Sequence, residues 1–441
     1  MEPVDTLIFA RWIIPVVPRN RLLEDAAVAI RNGRIVAICP REKACTGFQA
    51  AEAFHLQEHV LIPGLVNAHT HAAMTLMRGI ADDLPLMEWL NEHIWPRELR
   101  WVDPDFVRVG TRLAVVEMLR GGTTCFADMY FYPDVAWQVV QEAGIRAMLG
   151  LIFVDFPTPW ARCPDEYFVK NMGLYQEHPA DDRIGWMLAP HAPYSVSDEM
   201  FQQIAEVSQR EKLRIHIHLH ETLTEVDESL DRYRQRPLER MARLGLLNER
   251  LMAVHGVHLE EGEIEQLANH GCVMVHCPES NLKLASGFCP VARLHQAEVP
   301  LGLGTDGAAS NNDLDMLGEM RTAALLAKGV AHDPEALPAE SALAMATMGG
   351  ATALGLDDQI GSLEVGKWAD ITAIDLSWPE TQPVYDPVSQ IVYAASRHQV
   401  TDVWVGGRQL LANRQVVGLD WPELQNEIAT WQQRLGQPLE L

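Results

Sequence analysis

The chain has 441 residues, 48% of them hydrophobic, enough for one domain of roughly 250 residues and a smaller companion. Its 60 acidic residues outweigh 35 basic ones, a formal net charge of -25, which excludes a nucleic-acid partner and reads as a solvated acidic surface. No apolar run of roughly 18 residues is present to cross a membrane, Met1 to Asp5 carry no basic or apolar leader, and the seven cysteines are scattered without a C-x-x-C pair. The expectation is therefore a cytoplasmic chain with reduced thiols and no membrane partner.

Short apolar strands are predicted at residues 6–10, 26–30 and 34–38, the last two joined by a hairpin turn at Asn32-Gly33. From residue 60 the pattern changes. Apolar runs at 60–66, 124–129, 146–153, 184–191, 213–220, 251–255, 272–276 and 299–306 lead to residues able to bind metal or move protons. Between them, residues 106–119, 200–210, 259–270 and 314–327 repeat their apolar positions at three and four, as helices do. Strands alternating with helices imply a parallel sheet. Eight such units imply an α/β fold closed into a (β/α)8 TIM-like barrel, with its active site at the carboxyl ends of the strands.

Strands return at 370–375, 402–405 and 409–411, with Gly406-Gly407 as a turn, before a helix at 422–435. Neither terminal segment is large enough to bury a core alone. Both are expected to fold together as a discontinuous β-sandwich domain, residues 1–59 plus 361–441, with the last helix packed outside. The catalytic barrel then spans 60–360. Gly302-Leu-Gly-Thr-Asp-Gly307 has the look of a nucleotide loop but lacks the lysine and the helix start, so it is read as a tight strand end exposing Asp306.

The residues at the strand ends suggest a metal. His69 and His71 alternate on one strand and so share a face, where their imidazoles can meet one cation. The fifth run offers His216, His218 and His220, all on one face by the same alternation, and spacing does not choose among them. Glu221 follows, placed to carry a proton beside the metal. Asp306 supplies an oxygen ligand, and His255 either orients the attacking water or completes the coordination shell.

Five passages carry a family resemblance: Pro63-Gly-Leu-Val-Asn-Ala-His-Thr-His71, Met74-Thr-Leu-Met-Arg-Gly79, Ile217-His-Leu-His-Glu-Thr222, Asn281-Leu-Lys-Leu284 and Gly304-Thr-Asp-Gly-Ala-Ala-Ser-Asn-Asn312. Together with Gly366-Lys-Trp-Ala-Asp-Ile371 they resemble the amidohydrolase superfamily, in its branch of 5-methylthioadenosine and S-adenosylhomocysteine deaminases. The resemblance selects His218, three residues before Glu221, and implies one divalent ion, zinc or else iron, held by His69, His71, His218 and Asp306. A lysine that would bridge a second metal is absent from the fourth run, which ends Ala189-Pro190-His191. The resemblance also places Glu98 on the ribose hydroxyls, where acceptor oxygens suit a vicinal diol, and His191 against the nucleoside.

The implied reaction is hydrolytic deamination of the adenine 6-amino group of 5'-methylthioadenosine, with S-adenosylhomocysteine or adenosine as further substrates, yielding an inosine-type product and ammonia. Hydroxide generated on the ion attacks C6, Asp306 takes the released proton, Glu221 protonates the ring nitrogen, and His255 holds the hydroxide in line. Plainer readings stand beside these: Glu98 as a solvated helix residue, His191 as a hydrogen-bonded rim residue, Glu221 as an ion-pair partner. Members that bind homocysteine carry an arginine after the third strand, suited to clamping a carboxylate. Here Tyr167 falls near that position and Arg162 lies close by, while Phe153, Phe156, Pro157, Pro159 and Trp160 make the loop apolar, which favours the small thioether. The competing readings are another aminohydrolase of the same barrel, acting on guanine, cytosine or a triazine, and a non-enzymatic structural relative. The partner is a small nucleoside; a homo-oligomer is left open.

Overall fold

Two eight-stranded sheets share the chain in the computed structural model, which describes residues 1–437. The first sheet begins with β1 (Glu2–Ile13), β2 (Leu23–Arg31), β3 (Arg34–Pro40) and β4 (Phe48–Pro63). The barrel follows as β5 (Leu65–Thr70), β6 (Thr123–Asp128), β7 (Arg146–Phe153), β8 (Ile184–Pro190), β9 (Ile215–Leu219), β10 (Leu251–His255), β11 (Val273–His276) and β12 (Leu301–Leu303). β13 (Ile371–Asp375), β14 (Val400–Val405), β15 (Arg408–Ala412) and β16 (Gln415–Val416) then complete the first sheet in the order β16-β15-β14-β13-β4-β1-β2-β3. Asn32 and Gly33, at φ 51° and 75°, make the β2–β3 turn with the left-handed backbone that a tight hairpin requires.

The barrel strands are parallel and buried on both faces, which is why they read as nearly unbroken apolar runs: all but one residue of Arg146–Phe153 is buried. Closure between the last strand and the first is made by Asn67, whose side chain accepts from Thr305 N at 3.0 Å and donates to Thr305 Oγ1 at 2.8 Å, and by Asp306 N donating to His69 O at 3.0 Å. Gly304 permits this approach, since a Cβ there would lie 2.8 Å from both His69 N and His69 Cβ.

One expected strand divides. Residues 60–66 were predicted as the first barrel strand, but the chain breaks at Pro63-Gly64. Val60 and Leu61 pair with Trp12 and Ile13 of β1, and the same stretch runs antiparallel to β13, so residues 60–63 belong to the terminal sheet. Both halves of the run are buried on both faces, so periodicity carries no mark of the boundary. Gly64 is where the backbone passes between the sheets, with Thr124 pressed against it. The earlier part of β4 was not anticipated; its first twelve residues are exposed or half-buried and lack an apolar run.

The four predicted barrel helices occur as Pro104–Arg120, Asp198–Glu211, Glu261–Asn269 and Met316–Ala331. Asp103, Ser197 and Asp315 cap three of them, each side chain accepting an N–H of the first turn. The final helix, Trp421–Leu435, lies on Pro104–Arg120: Glu427 accepts from Arg108 at 2.8 Å and Arg112 at 2.6 Å, and Trp431 meets Phe106 edge-on at 5.2 Å. Barrel and terminal sheet are further joined by Arg146 of β7, whose Nε donates to Asp370 Oδ2 at 2.8 Å with both side chains 2% exposed. No helix among the described residues is long and apolar enough to cross a membrane, and the seven cysteines are all free.

Candidate active site

β5, β9 and the segment after β12 bring His69, His71, His218 and Asp306 together, with one donor atom from each lying within 4.8 Å of all the others. Asp306 Oδ1 is 3.3 Å from His69 Nε2 and 3.2 Å from His71 Nε2, and His218 Nε2 is 3.2 Å from His69 Nε2. The rings are aimed from behind. His71 Nδ1 donates to Met129 O at 2.6 Å and His218 Nδ1 to His191 O at 2.7 Å. A carbonyl can only accept, so both rings carry a proton on Nδ1 and turn Nε2 to the shared space.

Asp306 is oriented too. Its Oδ2 accepts from Ser280 Oγ and Ser310 Oγ, both at 2.7 Å, and Oδ1 accepts from Gly307 N at 2.7 Å. Burial would raise the Asp306 pKa, but His69 and His71 outweigh it and hold the carboxyl well below its usual range. Burial also drives His69 down to about 4 and His191 to about 3, so both imidazoles are neutral. On His71 burial pulls downward, yet Asp306 and the Met129 carbonyl raise it to about 9. Three imidazoles and one carboxylate converge on a space where Asp306 already draws a second proton onto His71, and that demand for positive charge fits a single divalent cation.

His220, one of three histidines left open by strand alternation, stands outside this group. β9 ends at Leu219 and His220 takes a left-handed φ of 56°, which turns its ring toward Leu238 N at 3.1 Å. His216 stays in the barrel behind His69, its Nε2 2.7 Å from His69 Nδ1.

The remaining predicted residues line one pocket over these donors: Glu98, His191, Glu221 and His255, with His71, His218 and Asp306 at its floor. Glu221 is aimed by Glu225, whose carboxylate accepts from His220 N at 2.8 Å and Glu221 N at 2.9 Å. Burial pushes Glu221 up to about 7, with His255 opposing and Asp306 adding to the rise. His255 Nε2 lies 3.9 Å from Glu221 Oε2, and its Nδ1 meets Asn281 Oδ1 at 2.8 Å. His191 Nδ1 lies 2.9 Å from Ser195 Oγ. Glu98, 7% exposed, is no solvated helix residue: Oε1 accepts from Tyr130 OH at 2.8 Å, and burial raises its carboxyl to about 7 despite that bond.

The loop after β7 resolves the arginine question. Arg162 points outward, its side chain 87% exposed and its Nε 3.0 Å from Glu166 Oε2, and it takes no part in the pocket wall. Tyr167 is buried, with its hydroxyl on Thr158 Oγ1. Phe156, Pro157 and Pro159 line the pocket beside Trp89 and Trp95, whereas Phe153 and Trp160 turn into the core. No lysine or arginine faces the pocket among the described residues.

Residues 60–410 match the family model described as the amidohydrolase family. The chain belongs to the amidohydrolase family. It is 48% identical over 433 residues to the 5-methylthioadenosine/S-adenosylhomocysteine deaminase of Saccharophagus degradans, covering 98% of this chain and 97% of that one. A crystal structure of an adenosine deaminase from Xanthomonas campestris with bound zinc is 51% identical with a TM-score of 0.97, covering 98% of this chain and 99% of that chain. Atrazine chlorohydrolase from Arthrobacter aurescens, solved with zinc, is 25% identical with a TM-score of 0.89 over 97% of this chain and 99% of its own. In this amidohydrolase the positioning groups Met129 O, Tyr130, Ser280 and Ser310 carried no individual signal in the sequence. Only their place beyond β6, β11 and β12, at the rim where the donors gather, could have drawn attention to them.

Proposed function

We propose that this amidohydrolase removes the 6-amino group of a 5'-modified adenine nucleoside by hydrolysis, with 5'-methylthioadenosine as the preferred substrate. The observation that carries this reading is the pocket itself: a cation-fitting donor group at the floor, buried Glu221 and Glu98 in the lining, and a mostly apolar remainder without lysine or arginine among the described residues. The names and structures of the relatives support it. His69, His71, His218 and Asp306 hold the ion, with zinc favoured by the zinc-bound relatives. When bound, the ion supplies the Lewis acidity that makes water a nucleophile toward C6 at neutral pH.

The chain does the rest. Asp306 accepts the proton of the attacking water. Glu221, raised to about 7 by burial, is partly protonated at neutral pH, and that proton is delivered to the purine ring nitrogen next to C6. His255, held by Asn281, faces the same space as the Glu221 carboxylate and keeps the attacking oxygen in line. Asp306 passes its proton to the amino nitrogen, the adduct's hydroxyl proton returns to Glu221, and collapse of the tetrahedral carbon expels ammonia and leaves a 6-oxopurine nucleoside. Glu98, steadied by Tyr130, accepts from the ribose hydroxyls, and His191 closes on the nucleoside from β8.

The 5' substituent meets the apolar wall. A methylthio group is satisfied there, while the amino-acid tail of S-adenosylhomocysteine would bury a carboxylate without a guanidinium to pair it. The seven free cysteines fit a cytoplasmic enzyme. Ammonia release measured side by side with 5'-methylthioadenosine, S-adenosylhomocysteine, adenosine and guanine tests the reading. The highest kcat/KM is expected for methylthioadenosine, then adenosine, with S-adenosylhomocysteine far behind. A preference for the free base would overturn it in favour of a base aminohydrolase.

A further inference from the structure

His71 and His218 each rest on a backbone carbonyl, which can only accept. His69 rests instead on a second imidazole, His216, across a 2.7 Å Nδ1 to Nε2 contact with the rings at 89° and neither exposed. An imidazole can donate or accept, so this one ligand has a support that does not fix its tautomer. The far nitrogen, His216 Nδ1, is buried and has no hydrogen-bond partner.

We propose that His216 is the positioning residue for His69, and that the hydrogen bond between them runs in opposite directions in the metal-free and metal-loaded protein. This rests on the metal reading of the donor group. Without a cation, His69 Nε2 faces two acceptors, Asp306 Oδ1 at 3.3 Å and the His218 Nε2 lone pair at 3.2 Å, so its proton belongs on Nε2. Its Nδ1 then accepts from His216 Nε2–H. With a cation bound at His69 Nε2, that nitrogen carries no proton; His69 Nδ1–H donates to His216 Nε2, and the single His216 proton sits on Nδ1.

Each ring moves its proton from Nε2 to Nδ1, both stay neutral, and the proton count is unchanged. The loaded form leaves a buried His216 N–H without an acceptor, and the free form leaves only an unpartnered lone pair, the better tolerated of the two. His216 thus supports the ion through His69 while setting an upper bound on how tightly that ligand set can hold it.

Two measurements on the full-length protein decide this. In histidine-selective 15N spectra, chelator-stripped protein is expected to show His69 and His216 as Nε2–H, and zinc-loaded protein to show both as Nδ1–H, with Nδ1 of His71 and His218 protonated throughout. In competition with a chromophoric chelator, His216→Leu is expected to weaken zinc binding ~10- to ~100-fold, and His216→Gln, whose amide oxygen can accept from His69 Nδ1–H, to recover most of it. Unchanged tautomers on loading, or a leucine variant binding within about twofold of wild type, overturns the proposal while leaving the metal site intact. Failure of the wild-type protein to compete for zinc at all overturns the metal reading itself.

Discussion

Glu98→Gln is expected to make the protein more stable and less active at once. The Glu98 carboxyl has an ordinary pKa of 4.5 and is raised to about 7 in the fold, mainly by burial. Between those values the folded state holds the proton that the unfolded state has released, so stability falls as pH rises from 4.5 through 7, and the full cost remains above 7. A shift of that size sets a ceiling of about 3 kcal/mol. Glutamine has the same shape, keeps an oxygen for the Tyr130 hydroxyl and carries no charge, so it escapes that cost. In urea unfolding of the metal-free protein, the gap favouring the variant should widen by about 2 to 3 kcal/mol between pH 5 and pH 8. The same substitution removes the anionic acceptor for the ribose diol, and kcat/KM for 5'-methylthioadenosine should fall ~10- to ~100-fold through KM. A stability gap that does not change with pH would show that burial is not what strains this carboxyl. An unchanged KM would remove Glu98 from ribose recognition.

Other perturbations separate the remaining roles. Glu221→Gln should retain metal while turnover drops ~100- to ~10,000-fold, the usual reach of a positioned acid or base; metal analysis with single-turnover ammonia release checks it, and a loss under tenfold refutes the assignment. Tyr130→Phe leaves the buried Glu98 carboxylate without its donor and should raise KM for nucleosides about tenfold with kcat spared, read from steady-state kinetics. Asp370→Asn strands the Arg146 guanidinium between barrel and terminal sheet and should cost about 3 to 5 kcal/mol in chemical denaturation, with a cost below 1 kcal/mol counting against the pair as a joint. Chelation should abolish ammonia release and lower Tm, and zinc at 1,000 times its Kd should return about 4 kcal/mol of stability; activity that survives complete stripping refutes the metal requirement.

The barrel was legible because parallel strands buried on both faces leave unbroken apolar runs, and because each run leads to the residue it delivers to the rim. His69, His71 and Asp306 could be placed that way from spacing alone. His218 could not be told from His216 or His220 by alternation, because nothing local marks the end of β9 at Leu219; the family pattern supplied the choice, and the left-handed turn at His220 is its physical counterpart. The passage at Pro63-Gly64 was read as continuous strand because burial is the same on either side. The carbonyls behind His71 and His218 were invisible for a different reason: every residue has one, and only tertiary packing decides which of them meets a ring.

β4 runs parallel to β1 on one side and antiparallel to β13 on the other, and Gly64 hands its last residues directly to the strand bearing His69. During synthesis on the ribosome β1 to β4 can pair early, but the far edge of β4 must wait for its neighbour until the whole barrel has been translated. That edge is an open template for the wrong partner throughout elongation. The nascent enzyme therefore completes its scaffold last, and a chain cut short before residue 371 would carry all four residues of the cation-fitting group yet keep the strand leading to them unpaired along one side.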